Sequence, residues 1–324
     1  MLTFFTTAKA FEGHSGIIQR NALHSWKRLH PDVEIILFGD DPGASEVSAA
    51  LGLRHEPYVE RHPSGMKYLN YMFARAQSIA RHKCLCYCNC DIILMDDFRE
   101  AFEKEASRQE PFLMIGRRWD TDITEPIDFT EDAWAEKVRK AALAANVLQA
   151  THFVDYFVFP RGLYDEVPPL VVGRSYWDHW LVWKALERGA NVVDATQFMM
   201  AVHQNHGYGY HPRGKQGTNE DALAMRNIEL AGGRQHLRTL IHSTHRITRK
   251  GSIRITPFRK LFENDTVLGW RQTAVEKTFP IRDRIGLRRV HLARFWASLG
   301  RHASVEGSAP EGQSKWNKNE RASV

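Results

Sequence analysis

With 324 residues, 43% of them hydrophobic and 25% charged, the chain can bury a sizeable core, which excludes a disordered or fibrous protein. No stretch of about 18 apolar residues occurs, so an ordinary membrane-spanning helix is excluded too. The formal net charge of +6 favours anionic partners such as phosphates, nucleic acids or acidic lipid surfaces, without choosing among them.

Residues 1–7 lack a basic segment followed by an apolar one, so no secretory leader is expected, and the cysteines fit a cytoplasmic location. In chain order, residues 2–7 read as a first strand. A helix is expected over 15–29, where Ile17, Ile18, Ala22, Leu23, Trp26 and Leu29 recur at about 3.6 residues. Residues 33–38 form a continuous apolar run closed by Gly39-Asp40-Asp41-Pro42, a buried second strand with a turn behind it. A short helix over 45–51, a brief strand over 53–55 and a longer helix over 65–81 follow.

The next run, Cys84-Leu85-Cys86-Tyr87-Cys88-Asn89-Cys90-Asp91-Ile92-Ile93-Leu94, holds all four cysteines. In a strand, side chains alternate faces and advance about 3.3 Å per residue, so the four thiols share a face but are too spread out for one zinc ion. A disulfide between residues i and i+2 of one strand is equally strained. Packing as small buried hydrophobes is therefore the favoured reading of the thiols, with a redox or zinc site as the alternative. Alternation puts Leu85, Tyr87, Asn89 and Asp91 on the other face, the last two at the C-terminal end, where open α/β sheets bind ligands. An ordinary turn opened by Asn and Asp is the alternative there.

Further on come a helix to residue 106, a strand over 111–115, a loop rich in Asp and Thr, and an amphipathic helix over 131–145. A strand over 152–159 carries Asp155 and stops at Pro160; a helix over 176–187 and short strands over 191–193 and 199–203 complete the pattern. Strands alternating with helices predict an α/β fold with a mostly parallel central sheet flanked by helices. Beyond residue 250 arginines accumulate, and Ile281, Ile285, Leu292, Phe295, Trp296 and Leu299 mark one face of a cationic helix over 281–299. That helix either packs on its own domain or lies peripherally on the inner face of an anionic membrane. Residues 302–324 are expected to be a disordered tail.

As a set, Phe5-Thr6-Thr7, the strand ending at Asp40, Gly65-Met66-Lys67-Tyr68-Leu69-Asn70 and Asn89-Cys90-Asp91 resemble a glycosyltransferase of the GT-A fold, in the nucleotide-diphospho-sugar transferase superfamily. Phe153 to Pro160, Trp177-Asp178-His179-Trp180 and Val202-His203-Gln204-Asn205-His206 fit its later segments. The resemblance covers 1–245 as one Rossmann-like domain and leaves 246–301 as a basic, largely helical extension.

The resemblance implies a donor such as a UDP- or GDP-linked sugar, an unidentified acceptor (glycan, lipid or small molecule), Mn2+ or Mg2+ as cofactor, and no nucleic acid. Phe5, Thr6, Thr7 and Asp40 would cradle the nucleoside, and Lys67 and Asn70, on one turn of the expected helix, would reach the base or a phosphate. Asn89 and Asp91 form an Asp-x-Asp-like motif for the ribose and the cation, with Asn89 bringing no charge. Asp91 is then the principal metal ligand and His203 completes the coordination, with His206 its less apt substitute. Asp178 is the first candidate for a catalytic base, or a plain helix cap, and Asp155 the second. His211, Arg213 and Lys215 sit in a Gly-rich segment that can close over a diphosphate or stay a solvated loop.

Two other functions compete. A sugar-nucleotide pyrophosphorylase needs a Gly-rich loop after the first strand, whereas Thr6-Thr7-Ala8-Lys9-Ala10-Phe11 reaches no glycine before Gly13. A non-enzymatic basic adaptor for membranes or nucleic acid would explain the C-terminal arginines but not Asn89, Asp91, Asp178 and His203 at element ends.

Overall fold

The computed structural model describes residues 1–207 and 212–256. The expected 281–299 helix, the 302–324 tail, His211 and the Lys215 side chain lie outside the described residues. In chain order the first elements are β1 (Thr3–Thr7), α1 (Gly13–Lys27), β2 (Glu34–Phe38), α2 (Ala44–Leu51), β3 (Arg54–Glu56), α3 (Leu69–Ile79) and β4 (Cys84–Cys88). There follow β5 (Ile92–Ile93), α4 (Asp96–Ala106), β6 (Phe112–Ile115), β7 (Arg118–Thr121), α5 (Trp134–Ala145), β8 (Val147–Leu148) and β9 (Tyr156–Pro160). The last are α6 (Trp177–Glu187), β10 (Asn191–Asp194), β11 (Ala201–Gln204), α7 (Gly214–Glu220), α8 (Ala222–Leu230), β12 (His245–Ile247) and β13 (Ile253–Ile255).

Nine strands form the main sheet in the order β13-β12-β10-β6-β9-β4-β1-β2-β3. Every neighbouring pair is parallel except those made by β9 and by β13, so the expected mostly parallel sheet is present. Its strands alternate between two apolar layers, as a sheet covered on both faces must. One face sends Phe4, Leu37, Cys86 and Val158 against Trp26 of α1 and Phe98 of α4. The other sends Phe5, Ile36, Tyr87 and Phe159 against Phe73 of α3 and Leu181 of α6. Phe73 is fully buried, stacked on Phe159 at 5.5 Å and edge-on to Phe5 at 4.9 Å. Each such ring stabilises the fold by roughly 1.5–3 kcal/mol through burial alone.

The thiols belong to the first layer. Cys86, Cys88 and Cys90 are buried in it, Cys84 packs against it, and all four are free. Burial pushes the Cys88 and Cys90 thiols up, further from the reactive thiolate form.

A smaller four-stranded sheet, β5-β11-β7-β8, begins where β4 ends. Strand alternation stops at Cys88: residues 89–92 form a turn closed by the Ile92 amide donating to the Asn89 carbonyl at 3.2 Å. That turn passes the chain from the main sheet into the small one. Here the expected long strand divides in two.

Four other boundaries shift. Residues 65–68 are not helical, because Tyr68 bridges to Val171 and its amide donates to the Glu60 carbonyl, so Lys67 and Asn70 do not share a helical turn. Asp155 precedes β9 instead of lying within the strand. The expected Asp/Thr loop contains β7, and the main sheet runs past residue 245 through β12 and β13. No described helix is long and apolar enough to cross a membrane.

Candidate active site

A cavity of about 480 Å³ opens at the C-terminal ends of the parallel strands β1, β2 and β4. Thr7 closes β1, Asp41 follows β2, and the turn after β4 supplies Asn89 and Asp91 to its wall. This is the edge where an open α/β sheet exposes its carboxyl ends to ligands.

One side of the cavity carries a carboxylate and two imidazoles. One ligand atom from each of Asp91, His203 and His206 lies within 4.8 Å of the others. His206 Nε2 is 3.1 Å and His203 Nε2 3.7 Å from Asp91 Oδ2. The other oxygen, Asp91 Oδ1, is buried with no hydrogen-bond partner among the described residues. A carboxylate oxygen is not left bare in a protein interior without cost, so it marks a place for a cation. Burial alone would raise the Asp91 carboxyl, but His203, His206 and Arg118 outweigh it and hold the group below the usual carboxylate range. In return the contact with Asp91 raises His206, against the effect of its burial.

The turn that presents Asp91 is held on several sides. The Asn89 amide donates to the Asp155 carbonyl at 2.9 Å, and both the backbone and side-chain nitrogens of Gln204 donate to the Asp91 carbonyl at 3.2 Å. Gln204 also donates to Ile18 in α1 and accepts from Asn21 at 3.0 Å, so a buried amide pair ties the turn to the first helix. His203 enters from β11, whose parallel pairing with β7 sets it opposite Asp120.

The opposite wall is cationic. Lys67 donates to the Ala8 carbonyl at 2.8 Å and pairs with Asp41, and burial lowers the lysine despite that partner. Gly39 makes room for the pair: its φ of +107° lies in the left-handed region, and an added Cβ would sit 2.7 Å from Asp41 Oδ2 and 2.9 Å from Lys67 Cε. Arg61 lies beside this pair, its Nη2 4.0 Å from Asp41 Oδ2, while Lys9 lines the cavity within the electrostatic reach of Asp91. Gln19 holds the loop after β1, accepting from the Lys9 amide at 2.7 Å and donating back to the Lys9 carbonyl at 3.1 Å.

Neither a protein-family model nor a curated protein matches the sequence. Among solved structures, the fold is similar to glucosyl-3-phosphoglycerate synthase from Mycobacterium tuberculosis in complex with Mn2+, UDP and glucosyl-3-phosphoglycerate, with a TM-score of 0.45, 12% identity, and 72% of this chain and 80% of that one covered. The same enzyme with Mg2+ and UDP gives 0.45 and 12%, over 81% of this chain and 92% of that one. S. aureus TarS 1-349 in complex with UDP-GlcNAc gives 0.42 and 11%, over 63% and 58%.

Of the residues singled out from the sequence, Thr7, Lys67, Asn89, Asp91, Asp155 and His203 line the cavity together. Asn89 faces it but stays out of the three-residue cluster, its side-chain nitrogen donating to Asp155 Oδ1 at 2.7 Å. Others lie elsewhere. Phe5 is fully buried among Phe73, Tyr87 and Phe159, and Thr6 is fully buried too. Asp40 is exposed and paired with Arg61 at 2.6 Å, leaving Asp41 as the β2 carboxylate in the cavity. Asn70 sits inside the first turn of α3, off the cavity wall. Asp178 lies in the first turn of α6, one residue after the cavity-lining Trp177; burial pushes its carboxyl up, and the nearby His179 opposes this. Arg213, just before α7, is exposed and does not line the cavity.

Sequence reasoning missed Arg118, Asp120 and Asp41 and set His206 behind His203. The alternation Arg118-Trp119-Asp120-Thr121 was a usable strand signal, obscured because its inward residues are charged.

Proposed function

We propose that the protein is a metal-dependent glycosyltransferase, moving a sugar from a nucleoside-diphosphate donor to an acceptor hydroxyl. The observation that carries this reading is the Asp91–His203–His206 cluster, with Asp91 Oδ1 bare and buried, at the mouth of a cavity on the carboxyl edge of a parallel sheet. One carboxylate and two imidazoles suit a divalent transition ion, which favours manganese over magnesium. When bound there, the cation supplies Lewis acidity to a diphosphate leaving group.

The chain's own residues do the rest. Asp91 stays ionised and ready to ligate because the histidines and Arg118 stabilise its charge. Lys9, Arg61 and Lys67 add positive charge to the cavity lining for the anionic donor. Asp155 has both oxygens engaged, one by Asn89 and one by Arg118 at 2.7 Å, so it holds the wall together and is a poor proton acceptor. Asp178 does not line the cavity but follows Trp177, which does; with its carboxyl raised by burial, it is the candidate base left for an inverting transfer. Trp177 beside it lines the cavity, packed against Tyr87 and Phe157.

The test is thermal unfolding of the purified protein with UDP, GDP and CDP, each with and without manganese. A donor site raises Tm only when nucleotide and metal are both present, and Asp91→Ala removes the rise. No shift with any nucleotide would sink the proposal.

A further inference from the structure

Behind the cluster lies a line of charge that the transfer reading does not use. Parallel pairing of β7 with β11 sets Asp120 beside His203 and Arg118 beside Ala201. Because strand side chains alternate, Arg118 and Asp120 point to the same side, and the small Ala201 leaves space for a guanidinium. Arg118, at 6% exposure, uses that space to bridge two carboxylates: Nε donates to Asp120 Oδ1 at 2.9 Å and Nη1 to Asp155 Oδ2 at 2.7 Å. Asp120 Oδ2 accepts from Gln149 at 2.6 Å. Buried charges this close together persist only when each has a partner.

The remaining contact is the informative one. His203 Nδ1 is 3.3 Å from Asp120 Oδ1 without the geometry of a hydrogen bond, and it is buried with no hydrogen-bond partner among the described residues. Its Nε2 faces Asp91. An imidazole ligates through an unprotonated nitrogen, and the group bound to the other nitrogen decides which one that is.

We propose that Asp120 and Arg118 are positioning residues for the cation site: Asp120 takes the Nδ1–H of His203, leaving Nε2 to ligate, and Arg118 locks Asp120 against Asp155. The inference rests on the metal site proposed above. It adds that the small sheet was built to choose a tautomer. Asp91, Asp120 and Asp155 also outnumber the Arg118 guanidinium, so the cluster presents negative charge to a cation.

Two readouts test this without relying on activity. The first is 15N NMR of the imidazole nitrogens in the metal-free, full-length protein above the histidine range, with the His203 signal identified by its loss in His203→Gln. The expected state is protonated at Nδ1, reverting toward the ordinary Nε2–H form in Asp120→Ala. The second is Mn2+ affinity by EPR. It should fall about 10- to 100-fold in Asp120→Ala and recover largely in Asp120→Asn, which keeps an oxygen near Nδ1. Arg118→Lys, a single point charge in place of a fork, should lie between them.

A wild-type His203 protonated at Nε2 overturns the proposal, and that result needs no variant to fold. Wild-type Mn2+ binding that is unchanged in folded Asp120→Asn and Asp120→Ala overturns the positioning role while leaving the metal site intact. Failure of the wild type to bind Mn2+ at all overturns both.

Discussion

The nine-stranded and four-stranded sheets meet at the turn 89–92, yet only the second buries a cluster of charged and imidazole side chains among its strands beside an apolar layer. Around β1, β4 and β9 the large sheet is sealed by rings and aliphatics: Phe4, Phe5, Tyr87, Phe157 and Phe159 are all at most 1% exposed. The small sheet packs Ile93 and Val202 against Val138 and Ala142 of α5, and it also buries Arg118, Asp120 and His203, each below 10% exposure. Apolar burial is non-directional and gives the first sheet its stability; charged burial requires a partner for every group and gives the second its geometry. One sheet holds the fold and the other aims the proposed metal ligands. Changes in the first should therefore appear as stability, and changes in the second as binding.

The largest effect is expected where the frame is opened. Phe73→Ala should cost about 3–5 kcal/mol in urea unfolding, because the ring leaves a cavity among Phe5, Phe159 and Tyr164. The folded fraction of that variant should still bind Mn2+; loss of metal binding there would blur the division. Asp91→Ala should do the reverse. It should cut nucleotide release from a sugar donor about 10³-fold, the worth of several kcal/mol of leaving-group stabilisation, a loss larger than the shift in urea midpoint that removing its contacts with His203 and His206 brings.

The pH response is smaller and its sign is fixed by His206. Its pKa is raised, chiefly by the contact with Asp91, so the metal-free protein gains from that contact in acid and loses the gain as pH climbs through the raised value. A cation must displace the same proton. Mn2+ affinity should therefore rise with pH through the histidine range, by roughly tenfold per unit for one proton released, and level off above the raised pKa. Calorimetry across about pH 5.5 to 8.5 reads this directly; affinity independent of pH would remove His206 from the ligand set. Smallest of all is Cys88→Ala. It should cost about 1 kcal/mol and leave Mn2+ affinity unchanged, as expected of a thiol that packs and does not ligate.

The same contrast explains what could be read from the sequence. Apolar runs such as residues 33–38 and the periodicity of 15–29 announce the large sheet and its helices because burial on a repeating face leaves a repeating pattern. The small sheet leaves little pattern: β5 and β8 are two residues each, and β7 alternates charge with Trp119 and Thr121. Its pairings are made by tertiary contact and not by local preference. Asp91 was legible because the apolar run before it places it at the carboxyl edge of a strand, and His203 because the resemblance set a late histidine beside the cation. Asp120 was not, since nothing local says that residue 120 will lie beside residue 203. Phe5 and Asp40 show the converse error. Both lie near the carboxyl edge, but Phe5, on the same face of β1 as Thr7 and two residues further in, is covered by Phe73, Tyr87 and Phe159, and the turn after β2 offers Asp41 and leaves Asp40 outside.

The account turns on one cation held by Asp91 and two imidazoles while it also holds a donor diphosphate. Pulsed EPR of the full-length protein with Mn2+ and UDP addresses that arrangement most directly. The prediction is nitrogen coupling from coordinated imidazole and phosphorus coupling from the diphosphate on the same ion, with the nitrogen signal weakened in His203→Gln. A Mn2+ ion surrounded by water alone, or one coupled to phosphorus without any imidazole nitrogen, would contradict it.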